Sequence, residues 1–244
     1  MRRPRSPLIA ALLGACLILG ACNQGGSTAS SETEPAPTAQ NQTNNAPGVN
    51  IHPRTDSPAP PSPSTSPSTP TPAAVPAGYA SVSAPTAGVT FAAPADWLVV
   101  SASEVQADES KLEDLAAQLN MSADSLRTIM SPVDIYVLDQ SGTQDFSNNI
   151  NVLSQTYSSA TVTEDAMTTG IKSIGATPGQ FSTESTANGD AHVLTYTWDL
   201  GGQTLQGAAM YVPNTEGKYA SVTITTLDAA LTGQIADTII ATAS

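Results

Sequence analysis

Cysteine is nearly absent from the chain. Only two occur in 244 residues, Cys16 and Cys22, and both lie within the first 22 positions. The rest of the chain therefore has no thiol with which to form a disulfide or to bind zinc. A folded part of about 155 residues must then be stabilised by an ordinary hydrophobic core, and that length is sufficient for one.

Histidine is equally scarce, and the motifs of common enzyme classes are missing. The chain has two histidines, too few for the usual zinc sites. It contains no Gly-x-Ser-x-Gly nucleophile motif, no phosphate-binding glycine loop and no dinucleotide fingerprint. No acidic loop has the alternating carboxylates and glycine bend that calcium requires. The sequence thus predicts no catalytic, cofactor or metal site, and it favours a protein that is not an enzyme.

One enzymatic alternative concerns His192. On an extended strand this residue shares a face with three large side chains, which are Leu194, Tyr196 and Trp198. Asp190 is two residues away, and a histidine beside an acid could serve a hydrolase if a nucleophile joined them. A histidine on a surface or edge strand is the plainer interpretation. A hydrolase using His192 is therefore the second alternative function.

Basic residues are also few. The segment from Val89 to Ser244 has four lysines and arginines against eighteen acidic residues, a net charge of −14. Such a domain repels phosphate backbones, so the sequence predicts no nucleic-acid partner. The acidic surface either faces a cationic partner or simply keeps an exposed domain soluble. The densest acidic cluster, at positions 104–114, is typical of a solvated helix N-terminus.

The chain lacks an apolar run long enough to span a bilayer, but it has a shorter one at the start. Arginines at positions 2, 3 and 5 precede an apolar stretch at 8–19, which is the layout of an export signal. The stretch ends in Leu19-Gly20-Ala21-Cys22. Small residues before a cysteine, with a polar tract after it, predict a lipoprotein signal peptide at 1–21 and lipidation of Cys22. Cys16 follows the same motif, but cleavage there would leave part of the apolar run on the mature chain.

Lipidation would fix the location of the protein. Two acyl chains such as palmitate on Cys22 give a stable membrane anchor, whereas one chain gives only marginal binding. The predicted location is the extracytoplasmic face of the cell membrane, with the membrane as a partner through this lipid.

A proline-rich segment follows Cys22. Thirteen of the nineteen prolines lie between Pro35 and Pro85, among serine, threonine and alanine. Such a composition cannot bury enough apolar surface to offset its chain entropy, so residues 22–88 are predicted to be a disordered linker. At about 3.1 Å per residue in a polyproline II conformation, its upper length is near 200 Å. We expect a spacer, with a neutral low-complexity insertion as the alternative.

Residues 89–244 show the patterns of an α+β domain. The predicted strands are at 89–91, 97–100, 134–139, 149–154, 191–198, 206–212 and 219–226. The predicted helices are at 111–119, 122–130, 161–174 and 227–239. The first two strands are expected to form a hairpin around Pro94-Ala95-Asp96, and Thr161-Val162-Thr163-Glu164 is expected to cap a helix. Hairpins mixed with helices favour a mostly antiparallel sheet covered by helices.

Several of these segments together resemble a known family. The opening Val89-Thr90-Phe91 with Pro94 and Trp97, the strand pair at 134–137 and 149–152, and the closing three-stranded meander with its helix look like the PsbP/Mog1-like α/β/α sandwich. Bacterial lipoproteins of the LpqN type are similar in layout and signal. The resemblance implies a non-catalytic binding or scaffold domain, and it transfers no residue's role to this chain.

Four large side chains on the predicted meander allow a further alternative. They are Tyr196, Trp198, Met210 and Tyr211. Such a set lines an apolar pocket in some proteins and forms core in others. The sequence therefore predicts a lipid-anchored envelope protein that binds an envelope protein or a ligand. A carrier of an apolar lipid or glycolipid is the first alternative, and it requires a cavity of several hundred Å³.

Overall fold

The structure, a computed structural model, describes residues 71–119, 121–141 and 146–244. The predicted signal peptide, Cys22 and the linker as far as residue 70 lie outside the described residues. Among the described residues, no helix is long and apolar enough to cross a membrane.

Nine strands and five helices form the described part of the chain. The strands are β1 (Tyr79–Ala84), β2 (Val89–Pro94), β3 (Leu98–Ser101), β4 (Val133–Leu138), β5 (Asn149–Tyr157), β6 (Thr177–Thr186), β7 (Gly189–Leu200), β8 (Gln203–Pro213) and β9 (Tyr219–Thr226). The helices are α1 (Ala102–Ala107), α2 (Glu109–Gln118), α3 (Ala123–Met130), α4 (Glu164–Ser173) and α5 (Ala229–Thr242).

Seven strands make one antiparallel sheet, in the order β3-β4-β5-β9-β8-β7-β6. The strands β1 and β2 form a separate antiparallel hairpin. All six residues of β4 are buried, which is typical of a strand that is covered on both faces. The pairing of β5 with β9 is irregular, because its register shifts between Val152 and Thr156.

Both faces of the large sheet are covered. Helices α1 to α4 pack on one face through apolar side chains such as Leu112, Met130 and Ile171, which join one core cluster. The second face packs against α5 and the β1–β2 hairpin, through residues that include Phe91 and Ile239. The alternation of side chains along each strand supplies both clusters. The predicted fold class, α+β with a mostly antiparallel sheet between helical layers, is therefore confirmed.

Side-chain caps begin the helices. The Thr163 hydroxyl accepts a hydrogen bond from the Ala166 amide at 3.2 Å and starts α4. The predicted cap at Thr161 was two residues early, since Val162 is buried and Thr163 has the extended backbone of an N-cap. Asp228 caps α5 by accepting from the Ala230 amide at 2.7 Å.

The predicted first hairpin was wrong. Residues 89–91 and 97–100 do form strands, but β2 pairs with β1 and β3 pairs with β4. The turn at Pro94-Ala95-Asp96 therefore connects two different sheets. A local turn signal shows where a strand ends, and it does not identify the strand's partner.

Two strands were missed from the sequence. Strand β1 lies inside the range that was predicted to be linker, so the first element of the domain begins at Tyr79 rather than at Val89. Strand β6 extends the predicted three-stranded meander to four strands, β6-β7-β8-β9. Its sequence, TPGQFSTEST, carries proline, glycine and mainly polar residues, a composition that edge strands tolerate.

Candidate ligand groove

His192 lies on β7 with its ring half-buried. Its Nδ1 atom is 3.3 Å from the Thr183 hydroxyl on the neighbouring strand β6. The ring is stacked between those of Phe181 and Tyr219, and each pair of centroids is 5.8 Å apart. The surroundings of His192 are thus aromatic, and its polar contact is with one threonine.

Asp190 does not join His192 in a catalytic pair. Its Oδ1 atom accepts a hydrogen bond from the Ser185 hydroxyl at 3.1 Å, and no hydrogen bond connects it to His192 within the described residues. A histidine–acid relay requires the carboxylate to orient the imidazole directly. The structure does not assemble that geometry from these two residues.

The four large meander side chains belong to the core. All are buried, and Met210 points to the face opposite that of Tyr196, Trp198 and Tyr211. The Tyr196 ring lies against Gly207, where an added Cβ atom would overlap it. Its hydroxyl is 3.0 Å from that of Thr225, and burial raises the pKa of Tyr196 to about 12. The four side chains lie on two faces of the sheet and therefore do not line one pocket together.

The acidic cluster at 104–114 is a set of helix termini and surface pairs. Asp108 caps α2, and its Oδ1 atom accepts from the Ser110 amide at 3.1 Å. The Arg127 guanidinium forms ion pairs with Glu109, at 2.7 Å, and with Asp124. These two carboxylates, Glu109 foremost, raise the pKa of Arg127. Among the residues that the structure describes, no three acidic or histidine side chains are grouped as metal ligands.

A recess lies at the interface between the sheet and helices α2 and α3. A small apolar gap lies there beside Tyr136, Leu126 and Met130, and its volume is about 10 Å³. A cavity of that size holds at most about one water molecule. It does not accommodate an acyl chain.

An open groove lies on the other face of the sheet, beside the N-terminal half of α5. Its volume is about 300 Å³, at the lower end of the range for small-molecule sites. We call it the α5 groove, and it is lined by residues 177–179 of β6, 195–197 of β7, 206–208 of β8, and Ala229, Thr232, Gly233 and Ala236 of α5. None of these residues carries a charge.

Close backbone contacts shape the sheet side of the α5 groove. The Thr195 hydroxyl accepts a hydrogen bond from the Gln180 amide at 2.8 Å. A Cβ atom at Gly179 would lie 2.5 Å from that hydroxyl, so glycine is required there. On the helix side, Thr232 donates to the Gln206 carbonyl at 3.3 Å and thus ties α5 to β8.

A buried polar row crosses the centre of the sheet on the α1–α4 face. It consists of Asn149, Asn151, Ser221, Thr223 and Thr225, each at most 1% exposed. Asn149 is bonded to the Tyr136 hydroxyl at 3.4 Å and to the Ser147 carbonyl at 3.0 Å. The amide of Asn151 and the hydroxyl of Ser221 have no hydrogen-bond partner among the described residues.

Sequence reasoning missed the α5 groove altogether. Its lining comes from three strands and one helix that are up to 59 positions apart in the chain. One local signal was present, because Gly233 interrupts an otherwise good helical sequence. Cys22, the residue predicted to be lipidated, lies outside the described residues.

Comparisons with known proteins show a likeness of fold and nothing more. No protein-family model matches the sequence, and no curated protein is significantly similar to it. Among solved structures, the chain is similar to the solution structure of cyanobacterial PsbP (CyanoP) from Synechocystis sp. PCC 6803. The match covers 69% of this chain and 92% of that chain, at 15% sequence identity and a TM-score of 0.44. The fold class of this chain is established by its own strands and helices, and the likeness assigns no role to any residue.

Proposed function

We propose that this chain is a lipid-anchored protein of the cell envelope, similar in layout to lipoproteins of the LpqN type, whose PsbP/Mog1-like domain binds a ligand or an envelope protein without catalysis. The lipid on Cys22 holds it at the extracytoplasmic face of the membrane. The proline-rich segment then separates the anchor from the folded domain.

The α5 groove is the observation that supports the binding role. It is an open, uncharged recess of about 300 Å³, whereas the apolar gap beside Tyr136 on the other face of the sheet has a volume of about 10 Å³. Ligand sites are typically concave and pre-formed, with a few polar groups among apolar ones. The groove meets this description. His192 and Asp190, by contrast, form hydrogen bonds with two different hydroxyl groups and not with each other in the described structure.

The carrier of an apolar lipid is less well supported. A lipid chain needs an apolar cavity, and the apolar gap beside Tyr136 is far too small for one. The larger α5 groove is lined mainly by threonine, glycine and alanine, and Tyr196 is the one large aromatic residue in its lining. We therefore favour the binding domain over the carrier, and over the hydrolase.

The anchor is tested by a matched pair of variants. Cys22→Ala should release the protein from the membrane fraction, because it removes the cysteine that is proposed to carry the acyl chains. Cys16→Ala is the control, since it removes the same side chain from the same Leu-Gly-Ala-Cys motif and should leave the protein with the membrane. Membrane association of the Cys22→Ala protein, or release of the Cys16→Ala protein, would contradict the proposal.

A further inference from the structure

We propose that the α5 groove binds a neutral carbohydrate of one or two sugar rings; this inference rests on the proposed binding function and names its ligand class.

The charge of the groove argues for a neutral ligand. The domain from Val89 carries eighteen acidic residues against four basic ones, yet none of the residues lining the groove is charged. The field of an acidic domain repels anions. A cationic ligand would be expected to meet a carboxylate in its site, and the lining supplies none. A ligand without charge suits this recess best.

The polar groups of the groove suit a ligand that bears hydroxyls. Thr177 and Thr197 are exposed and Gln206 is half-buried, and within the described residues no hydrogen bond occupies their side chains. A threonine hydroxyl both donates and accepts, and a glutamine amide offers both functions at fixed positions. Ala208 and Ala236 also belong to the lining, but they are buried, at 1% and 8% exposure. The hydroxyls of a sugar ring are suited to pair with the three accessible polar side chains.

Gly233 leaves open space in the groove that a larger side chain would occupy. It lies inside α5, and a Cβ atom there would meet no atom within 4 Å. Packing among the described residues therefore does not require glycine, in contrast to Gly179 and Gly207. A glycine inside a helix is destabilising relative to alanine. Since Gly233 lines the groove, the space it leaves is the space a ligand would fill.

The test measures the binding of defined sugars to the purified full chain. Glucose, maltose and N-acetylglucosamine are the neutral probes, and glucose 6-phosphate is the charged analogue. Titration is followed by ligand-observed NMR at up to about 10 mM, which detects dissociation constants near 1 mM. We expect at least one neutral sugar to bind, at least about tenfold more tightly than glucose 6-phosphate.

Two variants locate the site. Gly233→Leu should weaken sugar binding at least about tenfold by filling the groove, while its thermal midpoint stays at or above that of the parent. Gln234→Leu is the matched control, since it places the same side chain one position away on the exposed side of α5, and it should bind normally. Thr197→Val, which removes one exposed hydroxyl and keeps the side-chain shape, should weaken binding several-fold and provides the second reading.

Three results would overturn the inference. They are the absence of binding by all three neutral sugars, equal binding of glucose 6-phosphate, and unchanged affinity in both Gly233→Leu and Thr197→Val. These outcomes concern the ligand class alone. The membrane fractionation of the Cys22→Ala and Cys16→Ala proteins reports separately on the anchored envelope protein.

Discussion

Replacing Asn151 by leucine should stabilise the domain. This side chain is fully buried at the centre of the sheet, between Tyr136 of β4 and Thr223 of β9 in the strand register. Neither its Nδ2 nor its Oδ1 atom has a hydrogen-bond partner among the described residues. A buried polar group without a partner costs about 1–3 kcal/mol. Leucine has a similar volume and removes that cost.

The two unpartnered atoms of Asn151 together cost about 2–6 kcal/mol. Repacking around the new methyl groups costs about 1–3 kcal/mol, so the expected net gain is about 1–3 kcal/mol. For a domain of this size, each kcal/mol raises the thermal midpoint by about 2–4 °C. Urea unfolding followed by circular dichroism, with the slope unchanged, measures the free-energy difference directly. The midpoint of Asn151→Leu should therefore move to higher urea concentration.

Asn149→Leu is the matched control for Asn151→Leu. Asn149 belongs to the same buried polar row on the same strand, but it is bonded to the Tyr136 hydroxyl and to the Ser147 carbonyl. Its replacement should destabilise the domain by about 1–3 kcal/mol. A loss of stability in Asn151→Leu comparable to that in Asn149→Leu would refute the reasoning, since it would show that the Asn151 amide is hydrogen-bonded in solution.

Three further substitutions test individual contacts. Gly207→Ala should destabilise the domain by about 1–3 kcal/mol in urea unfolding, because the new methyl group overlaps the Tyr196 ring; unchanged stability would show that the ring moves aside freely. Burial raises the pKa of Tyr196 from 10.0 to about 12. The contribution of this protonated hydroxyl to the free energy of unfolding is therefore complete below about pH 10 and is lost as the pH rises towards 12. The parent should thus lose about 2–3 kcal/mol more than Tyr196→Phe over that window, and parallel pH profiles would contradict this assignment. Asp134→Ala should cost about 2–4 kcal/mol, since Oδ2 of this buried carboxylate accepts from the Thr86 and Ala87 amides at 2.8 and 3.0 Å; a loss below about 1 kcal/mol would show that the hairpin turn is held by other contacts.

The sequence predicted best those elements whose pattern is local and periodic. Helix α4 was found because its apolar residues recur at helical spacing, with buried Met167 and Ile171 on one face. Strand β4 was found because a continuous apolar run favours burial on both faces. In both cases the apolar residues that form the sequence pattern are also the residues whose burial stabilises the helix or strand.

Prediction from the sequence missed two strands whose local composition does not favour a strand. Strand β1 lies in serine- and alanine-rich sequence that continues the composition of the linker, and it becomes a strand by pairing with β2. Strand β6 contains Pro178 and Gly179 and is stabilised by β7 along its length. Pairing between distant segments decides both strands, and a single sequence does not encode it in any short window.

The α5 groove is the extreme case of this limit. Its shape depends on how far α5 covers the strands β6 to β8 beneath it, which is a result of packing rather than of any motif. Only Gly233 gave a local indication, and its significance depends on the space around it. The predicted lipidation site is the reverse case, since the motif that ends at Cys22 is contiguous and such motifs are read in the unfolded chain.

Mass spectrometry of the N-terminal peptide of the mature protein tests the central claim most directly. An anchored envelope protein predicts a peptide that begins at Cys22 and carries the added mass of a diacylglyceryl group. A mature chain that begins at any other residue, or that begins at Cys22 with a free thiol, would contradict the account.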